Sequence, residues 1–74
     1  MTTKWFIGQT TERVFAVYKA TFDGKILTSQ KQWLIPSGKA WASTKRVSEW
    51  YFVGNDEIWP ATETEARKYL PASA

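Results

Sequence analysis

The segment that most constrains the fold runs from Arg13 to Phe22, where side chains alternate with a period of two. One set of alternate positions is entirely apolar and comprises Val14, Ala16, Tyr18, Ala20 and Phe22. Such alternation, with β-branched and aromatic residues, is typical of a strand rather than a helix. Because Phe15 and Val17 make the other set partly apolar, we predict a central strand covered on both faces near its start.

A hairpin turn is predicted directly after this strand. Asp23-Gly24 supplies the positive φ values that a two-residue type I′ turn requires, and Asp-Gly is among the strongest hairpin signals. The partner strand is predicted over residues 25–35, with room for a bend in the polar residues 28–30 and with Lys31 and Trp33 on the same face. Pro36-Ser37-Gly38 ends it, because proline fixes φ and glycine permits a tight turn.

The remaining strands are predicted from shorter patterns. They cover residues 5–7, 46–53 and 57–59, and Pro60 ends the last of them. Residues 39–45 are ambiguous, since Ser37 could cap a helix there. The apolar spacing fits a helix poorly, so we favour a loop or a short irregular strand.

A C-terminal helix is predicted over residues 62–70. Thr62-Glu63-Thr64-Glu65 matches a capping box, in which the Thr62 hydroxyl and the Glu65 side chain satisfy each other's backbone amides. Ala66, Tyr69 and Leu70 then share one face, and Pro71 follows. Because so short a helix is unstable alone in water, it must pack on the sheet.

These elements predict a single α+β domain over residues 1–74, β-rich over 4–59. It is a small antiparallel sheet of four to five strands with one short C-terminal helix packed on it. A domain this small has a marginal core, which aromatic residues, at 16% of the chain, help to build. The predicted core consists of Phe6 or Trp5, with Val14, Ala16, Tyr18, Phe22, Leu34, Trp50, Phe52, Tyr69 and Leu70.

The composition argues against an enzyme. The chain has no cysteine and no histidine, so it lacks thiol chemistry, the usual general base and the commonest transition-metal ligand. Catalysis by paired carboxylates would need a pocket that a chain of this size has little room to build, and its acids lie in polar, turn-like sequence. We expect no catalytic activity, no cofactor and no bound metal.

Two local sequences look like known binding motifs but do not match them. Ser37-Gly38-Lys39 lies where a phosphate-binding loop would end, but Trp33 replaces its first glycine and Ala40 replaces its Ser or Thr. Residues 55–57 carry oxygen ligands for a hard cation, yet they are far short of a calcium-binding loop. A solvated turn is the better interpretation of residues 55–57.

Nothing in the chain predicts membrane insertion. The longest apolar runs are four residues or fewer, against the roughly 20 that a membrane helix needs. The amino terminus lacks the apolar region of a signal peptide. We therefore expect a soluble, cytoplasmic protein that does not bind membranes.

The charge distribution is the main indication of function. The net charge is +3, but residues 24–48, which we name the basic segment, carry five basic and no acidic residues. Residues 49–66, the acidic segment, carry five acidic and no basic residues. The basic segment also contains Trp33 and Trp41, and lysine with exposed tryptophan suits nucleic-acid binding, through phosphates and base stacking.

We therefore expect a non-catalytic binding protein whose basic segment meets an anionic partner, with nucleic acid favoured. The site residues are Lys31, Lys39, Lys45 and Arg46 for phosphates, and Trp33 or Trp41 for stacking. The alternative function is a protein-binding inhibitor or adaptor, such as a viral inhibitor of a host enzyme, acting on an acidic protein surface. A basic segment can also be simple solvated surface, and exposed sheet edges could pair two copies in a homodimer.

Overall fold

The alternating segment forms the central strand of the sheet. The structure, a computed structural model, describes residues 1–48 and 57–74. These residues contain five antiparallel strands in the spatial order β4-β3-β2-β1-β5. The strands are β1 (Thr2–Gln9), β2 (Val14–Asp23), β3 (Ile26–Leu34), β4 (Ala42–Ser43) and β5 (Ile58–Ala61). The predicted small antiparallel sheet is confirmed.

Strand β2 is buried on both of its faces. Its Tyr18 pairs with Phe6 of β1, and its Val17 pairs with Ile7. Both Tyr18 and Val17 are almost fully buried, and so is Ala16. The central, doubly covered strand is therefore confirmed, and the sheet has two covered sides, the Tyr18 face and the Val17 face. The predicted faces of Val14 and Phe15 are wrong, because a register shift at the end of the β1–β2 pairing places Val14 on the Val17 face and Phe15 on the Tyr18 face.

Each face of the sheet has its own apolar cluster. On the Tyr18 face, the buried residues are Phe6, Ala16, Tyr18, Ala20, Phe22, Val47 and Ile58. On the Val17 face, Ile7, Val17 and Ala66 are buried, and Trp5, Val14, Ile35, Trp41, Ala61 and Leu70 pack against them. Segments from outside the three long strands therefore cover both sides of the sheet.

The β2–β3 hairpin forms as predicted, but its turn is shifted by one residue. Asp23 pairs with Ile26, so Gly24 and Lys25 are the turn residues. Gly24 has a φ of +63°, and no non-glycine residue among those described has a positive φ. The predicted type I′ turn is therefore wrong, because it requires positive φ at both turn residues; glycine at the first of them suits a type II′ turn.

A bulge in β3 sets the register of this hairpin. Phe22 pairs with Leu27 but Thr21 pairs with Ser29, so Thr28 is the extra residue. The Thr28 hydroxyl donates to the Thr21 carbonyl oxygen at 3.0 Å. Because an inserted residue reverses the side-chain alternation, the bulge decides that Trp33 points to the Val17 face.

The predicted strand over residues 46–53 is wrong at its start, where residues 46–48 are helical. The Thr44 hydroxyl accepts from the Arg46 amide at 3.1 Å, as a helix cap does. The Ser48 amide donates to the Gln30 side-chain oxygen at 3.0 Å, and Val47 is fully buried on the Tyr18 face. Residues 49–53 of that prediction, including the core candidates Trp50 and Phe52, lie outside the described residues.

The last strand passes through the proline that was predicted to end it. Strand β5 continues to Ala61, and Pro60 pairs with Phe6. Because β5 is at the edge of the sheet, Pro60 needs no hydrogen bond on its outer side, and proline is tolerated at such a position. Proline therefore marks this strand as an edge strand and does not end it.

The C-terminal α-helix spans Glu63–Arg67, and residues 68–70 continue it only as turns. The predicted capping box is present: the Glu65 amide donates to the Thr62 hydroxyl oxygen at 3.1 Å, and the Thr62 amide donates to Glu65 Oε1 at 3.4 Å. Ala66 is fully buried beside Ile7 and Val17. The predicted length, to residue 70, is therefore too long.

Two predicted core residues are exposed. Leu34 is 47% exposed, since it ends β3 and the short β4 does not reach it. Tyr69 is 44% exposed, because the helix ends at Arg67 and the helical spacing that would align Tyr69 with Ala66 no longer applies. Val14 and Leu70 are partly buried.

Replacing Gly38 should destabilise the protein. A Cβ there would lie 2.4 Å from the Leu34 carbonyl oxygen and 2.7 Å from Trp33 Cδ1, so the loop would have to move. We expect Gly38→Ala to lower the free energy of unfolding in urea by about 1–3 kcal/mol, as overpacking does. The exposed neighbour is the control: Ser37→Ala should change it by less than about 0.5 kcal/mol. Equal effects would contradict the close packing of this loop.

Removing the helix cap should also lower the free energy of unfolding. Thr62→Ala deletes the hydroxyl that accepts from the Glu65 amide, and we expect a loss of about 1 kcal/mol in the free energy of unfolding. Thr64 lies in the same helix and is exposed, so Thr64→Ala is the matched control and should be neutral or slightly stabilising. A loss as large in Thr64→Ala as in Thr62→Ala would show that the cap is not the cause.

Candidate functional site

The order of the strands places the basic segment and the acidic segment at opposite edges of the sheet. The basic segment supplies β3 and β4, at one edge of the sheet, and the acidic segment supplies β5, at the other. Within residues 1–48 and 57–74, the one salt bridge joins Arg67 to Glu63, at 2.7 Å. No cation of the basic segment therefore forms a salt bridge with a carboxylate in this part of the chain.

A groove lies along the basic edge. It is lined by Leu27, Thr28, Ser29, Gln30, Lys31, Ser43, Thr44 and Lys45. We name it the β3–β4 groove. Four of these residues carry hydroxyl groups, two are lysines, and none is acidic. The groove exists because β4 pairs with only Lys31 and Gln32, which leaves the outer side of the first half of β3 without a paired strand among the described residues.

Hydrogen bonds fix the walls of the β3–β4 groove. The Lys31 ammonium donates to Ser43 Oγ at 3.2 Å, and the Thr44 amide donates to the Gln30 carbonyl oxygen at 3.3 Å. The Gln30 side chain in turn holds Ser48, in the helical residues 46–48. Lys31 lies in β3 itself, and Lys45 lies between Thr44 and Ser48, which are both bonded to Gln30 of β3.

The tryptophans of the basic segment belong to a cluster on the Val17 face. Trp41 makes edge contacts with Trp5 and Trp33, with ring centroids 6.0 Å and 5.5 Å apart. Trp33 is only 6% exposed, so its ring offers no face to a ligand. Trp41 is partly exposed and is the one of the two that a ligand can reach.

Two cations outside the basic segment complete this cluster. The Lys19 ammonium lies 4.2 Å from the Trp41 ring centroid, and the Arg67 guanidinium lies 5.2 Å from that of Trp5. Both distances are in the range of cation–π attraction. The aromatic cluster is therefore surrounded by positive charge contributed by β2 and by the C-terminal helix.

The structure brings some of the predicted site residues together and separates others. Lys31 and Lys45 line the same groove, and Trp33 and Trp41 are in ring contact. Lys39 and Arg46 are exposed but do not line the β3–β4 groove. Two of the four predicted phosphate-binding residues thus share one surface.

Sequence reasoning did not find Lys19 and Trp5, which the strand pairing places in one row with Lys31. Trp5 pairs with Lys19, and Lys19 pairs with Lys31. The alternation in β2 already put Lys19 on the Val17 face. The bulge at Thr28 then aligns Lys19 with Lys31.

Other kinds of site are not formed by the described residues. Within residues 1–48 and 57–74, no group of three or more acidic, histidine or cysteine residues is placed to hold a metal ion. In the same part of the chain, no helix is long and apolar enough to cross a membrane.

Comparison of the chain with models of known protein families, with curated proteins and with solved structures found no match. The assignment of a function therefore depends on the geometry and chemistry of the surfaces described above.

The different roles of two tryptophans can be tested by stability. Trp33 is buried, so Trp33→Ala should lower the free energy of unfolding in urea by about 3–5 kcal/mol, enough to unfold most molecules of a marginally stable domain. Trp59 is 55% exposed, and Trp59→Ala should cost less than about 1 kcal/mol. Far-ultraviolet circular dichroism measures both. Small and equal losses would contradict the core position of Trp33.

Proposed function

We propose that this protein is a non-catalytic domain that binds nucleic acid along the basic edge of its sheet. The observation that carries the proposal is the β3–β4 groove, which is lined by two lysines and four hydroxyl residues and by no acid. Lysine, serine, threonine and glutamine side chains are the groups that contact phosphate oxygens in nucleic-acid complexes. The groove therefore has the chemistry of a phosphate-contacting surface.

The charges on the rest of the molecule also favour binding of the ligand at the basic edge. Glu57 and the helix acids Glu63 and Glu65 flank β5, at the edge opposite the groove. A polyanion would be repelled from that edge and attracted to the β3–β4 edge. In this proposal the C-terminal helix covers the Val17 face through Ala66, in an α+β arrangement, and takes no part in the groove.

The proposed function involves binding without catalysis. The β3–β4 groove contains no carboxylate, and the chain has neither histidine nor cysteine to act as base or nucleophile. Lysine and hydroxyl groups can hold a phosphate without these partners. The groove therefore offers contacts for a ligand but no general base.

One observation favours the alternative, a protein-binding inhibitor or adaptor. Strand β3 has nine residues, but β4 pairs with two of them, and Ile26 is 67% exposed. An extended segment of an acidic partner, or of a second copy, could add to this free edge as a further strand. Both functions would use the same basic edge. The test must therefore distinguish binding driven by the charge of a nucleic acid from binding in which a protein segment adds a strand.

The salt dependence of oligonucleotide binding tests the proposal. We expect wild-type protein to bind single-stranded oligonucleotides with an affinity that falls steeply between about 50 mM and 200 mM salt. Replacing both groove lysines, as Lys31→Gln with Lys45→Gln, should weaken binding. It should also reduce the slope of log affinity against log salt by about 1.4, since each phosphate contact on a single strand contributes about 0.7. Fluorescence anisotropy of a labelled oligonucleotide measures both quantities.

The control is a double substitution with the same change in net charge outside the groove. Lys25→Gln with Lys68→Gln alters the turn and the C-terminal end of the helix, and it should leave the slope nearly unchanged. An equal loss in both double variants would mean that net charge alone drives binding. Absence of salt-sensitive binding to wild-type protein would overturn the proposed function and favour the protein-binding alternative.

A further inference from the structure

Two lysines face each other across β2 and β3. Lys19 and Lys31 are directly paired positions on the Val17 face, and both are partly buried. Like charges directly opposite on a sheet destabilise it. No salt bridge involves either lysine within the described parts of the chain. An anion held between the two ammonium groups would remove this repulsion, so the pair is suited to bind a phosphate.

An aromatic ring lies within reach of the same lysine. The Lys19 ammonium is over the Trp41 ring, 4.2 Å from its centroid, while the Lys31 ammonium donates to Ser43 Oγ. Trp41 is held in place by its edge contacts with Trp5 and Trp33. Lys19 therefore covers a face of Trp41 and occupies the strand position directly opposite Lys31.

On the basis of the proposed function, we propose that Lys19 and Lys31 together bind one phosphate of a single-stranded nucleic acid, and that a neighbouring base stacks on Trp41. When Lys19 turns from the ring to the phosphate, it uncovers a ring face that the base can occupy. Phosphate binding and stacking are thus coupled through one side chain. Lys19 and Trp41 become specificity-determining residues beside the β3–β4 groove.

This arrangement distinguishes single strands from other anions. In a duplex the bases are stacked on each other and paired, so no base face is free to stack on Trp41. A backbone without bases likewise supplies the anion but nothing to stack on Trp41. A single strand supplies both, and stacking on an aromatic residue tolerates any base. The predicted ligand is therefore single-stranded nucleic acid bound with little sequence preference.

A comparison of two labelled oligomers tests this inference with wild-type protein. One is oligothymidylate of about ten nucleotides, within the range that one small domain covers, and the other is an abasic oligomer of equal length and charge. We expect oligothymidylate to bind about 5- to 150-fold more tightly, the gain that one stacked base gives. Equal affinities that both depend on salt would overturn this inference and leave the proposed function standing. No binding of either oligomer would overturn both.

Substitutions separate the phosphate contact from the stack. Lys19→Gln should weaken binding of both oligomers and reduce the salt slope by about 0.7. Trp41→Leu should weaken oligothymidylate alone and leave abasic binding and its slope unchanged. If Lys19→Gln instead strengthened oligothymidylate binding and left the slope intact, Lys19 would be only a cover for the ring, and the proposed phosphate contact would be wrong.

Each substitution has a matched control. The Lys4 ammonium also lies over an aromatic ring, 5.1 Å from the Phe22 centroid, so Lys4→Gln removes a similar contact away from Trp41 and should not change either oligomer's affinity. Trp59 is the control tryptophan, on β5 at the opposite edge. Trp59→Leu should likewise leave the affinity for both oligomers unchanged. Circular dichroism establishes that each variant is folded, and Trp41→Phe, which keeps a smaller aromatic face, should retain part of the preference if Trp41→Leu is unfolded.

Discussion

Burial of β2 on both faces is the constraint on which the rest of the structure depends. A sheet in a chain of 74 residues exposes two apolar sides, and a short chain has few residues left to cover them. The Val17 face is covered by Ala66 of the C-terminal helix and by Trp41, and the Tyr18 face by Val47 among others. The segments that follow β3, β4 and β5 are therefore used as covers.

The basic edge is open because the residues that cover the two faces of the sheet cannot also extend it. After two paired residues in β4, the chain turns at Thr44 and carries Val47 to the Tyr18 face. The free edge of β3 and the hydroxyl-rich groove beside it follow from that early departure. Trp33 and Trp41 are likewise needed to pack the Val17 face, so the aromatic surface left for a ligand is one partly exposed ring and not two.

The sequence predicted those features that local chemistry determines. The alternation in β2 from Ala16 onward, the glycine turn and the Thr62 capping box each depend on neighbouring residues, and the structure contains all three. The sequence could not predict that residues 46–48 are helical, because Val47 is buried through distant contacts with the sheet. The polar residues 28–30 indicate a bend, but they do not specify the one-residue bulge at Thr28, which decides the face of Trp33 and the pairing of Lys31 with Lys19. The positions of Trp33 and Lys31 in the candidate site therefore depend on the register of β3 against β2, which tertiary packing sets.

The central claim, that the basic edge of the sheet is the binding surface, is tested most directly by mapping where a ligand touches. Amide proton–nitrogen correlation spectra, recorded during titration with oligothymidylate, report on each backbone amide separately. We expect the largest shifts on residues 28–31 and 43–45, with smaller ones at Lys19 and Trp41. Shifts confined to β5 and the C-terminal helix, or no shifts at high oligonucleotide concentration, would contradict the central claim.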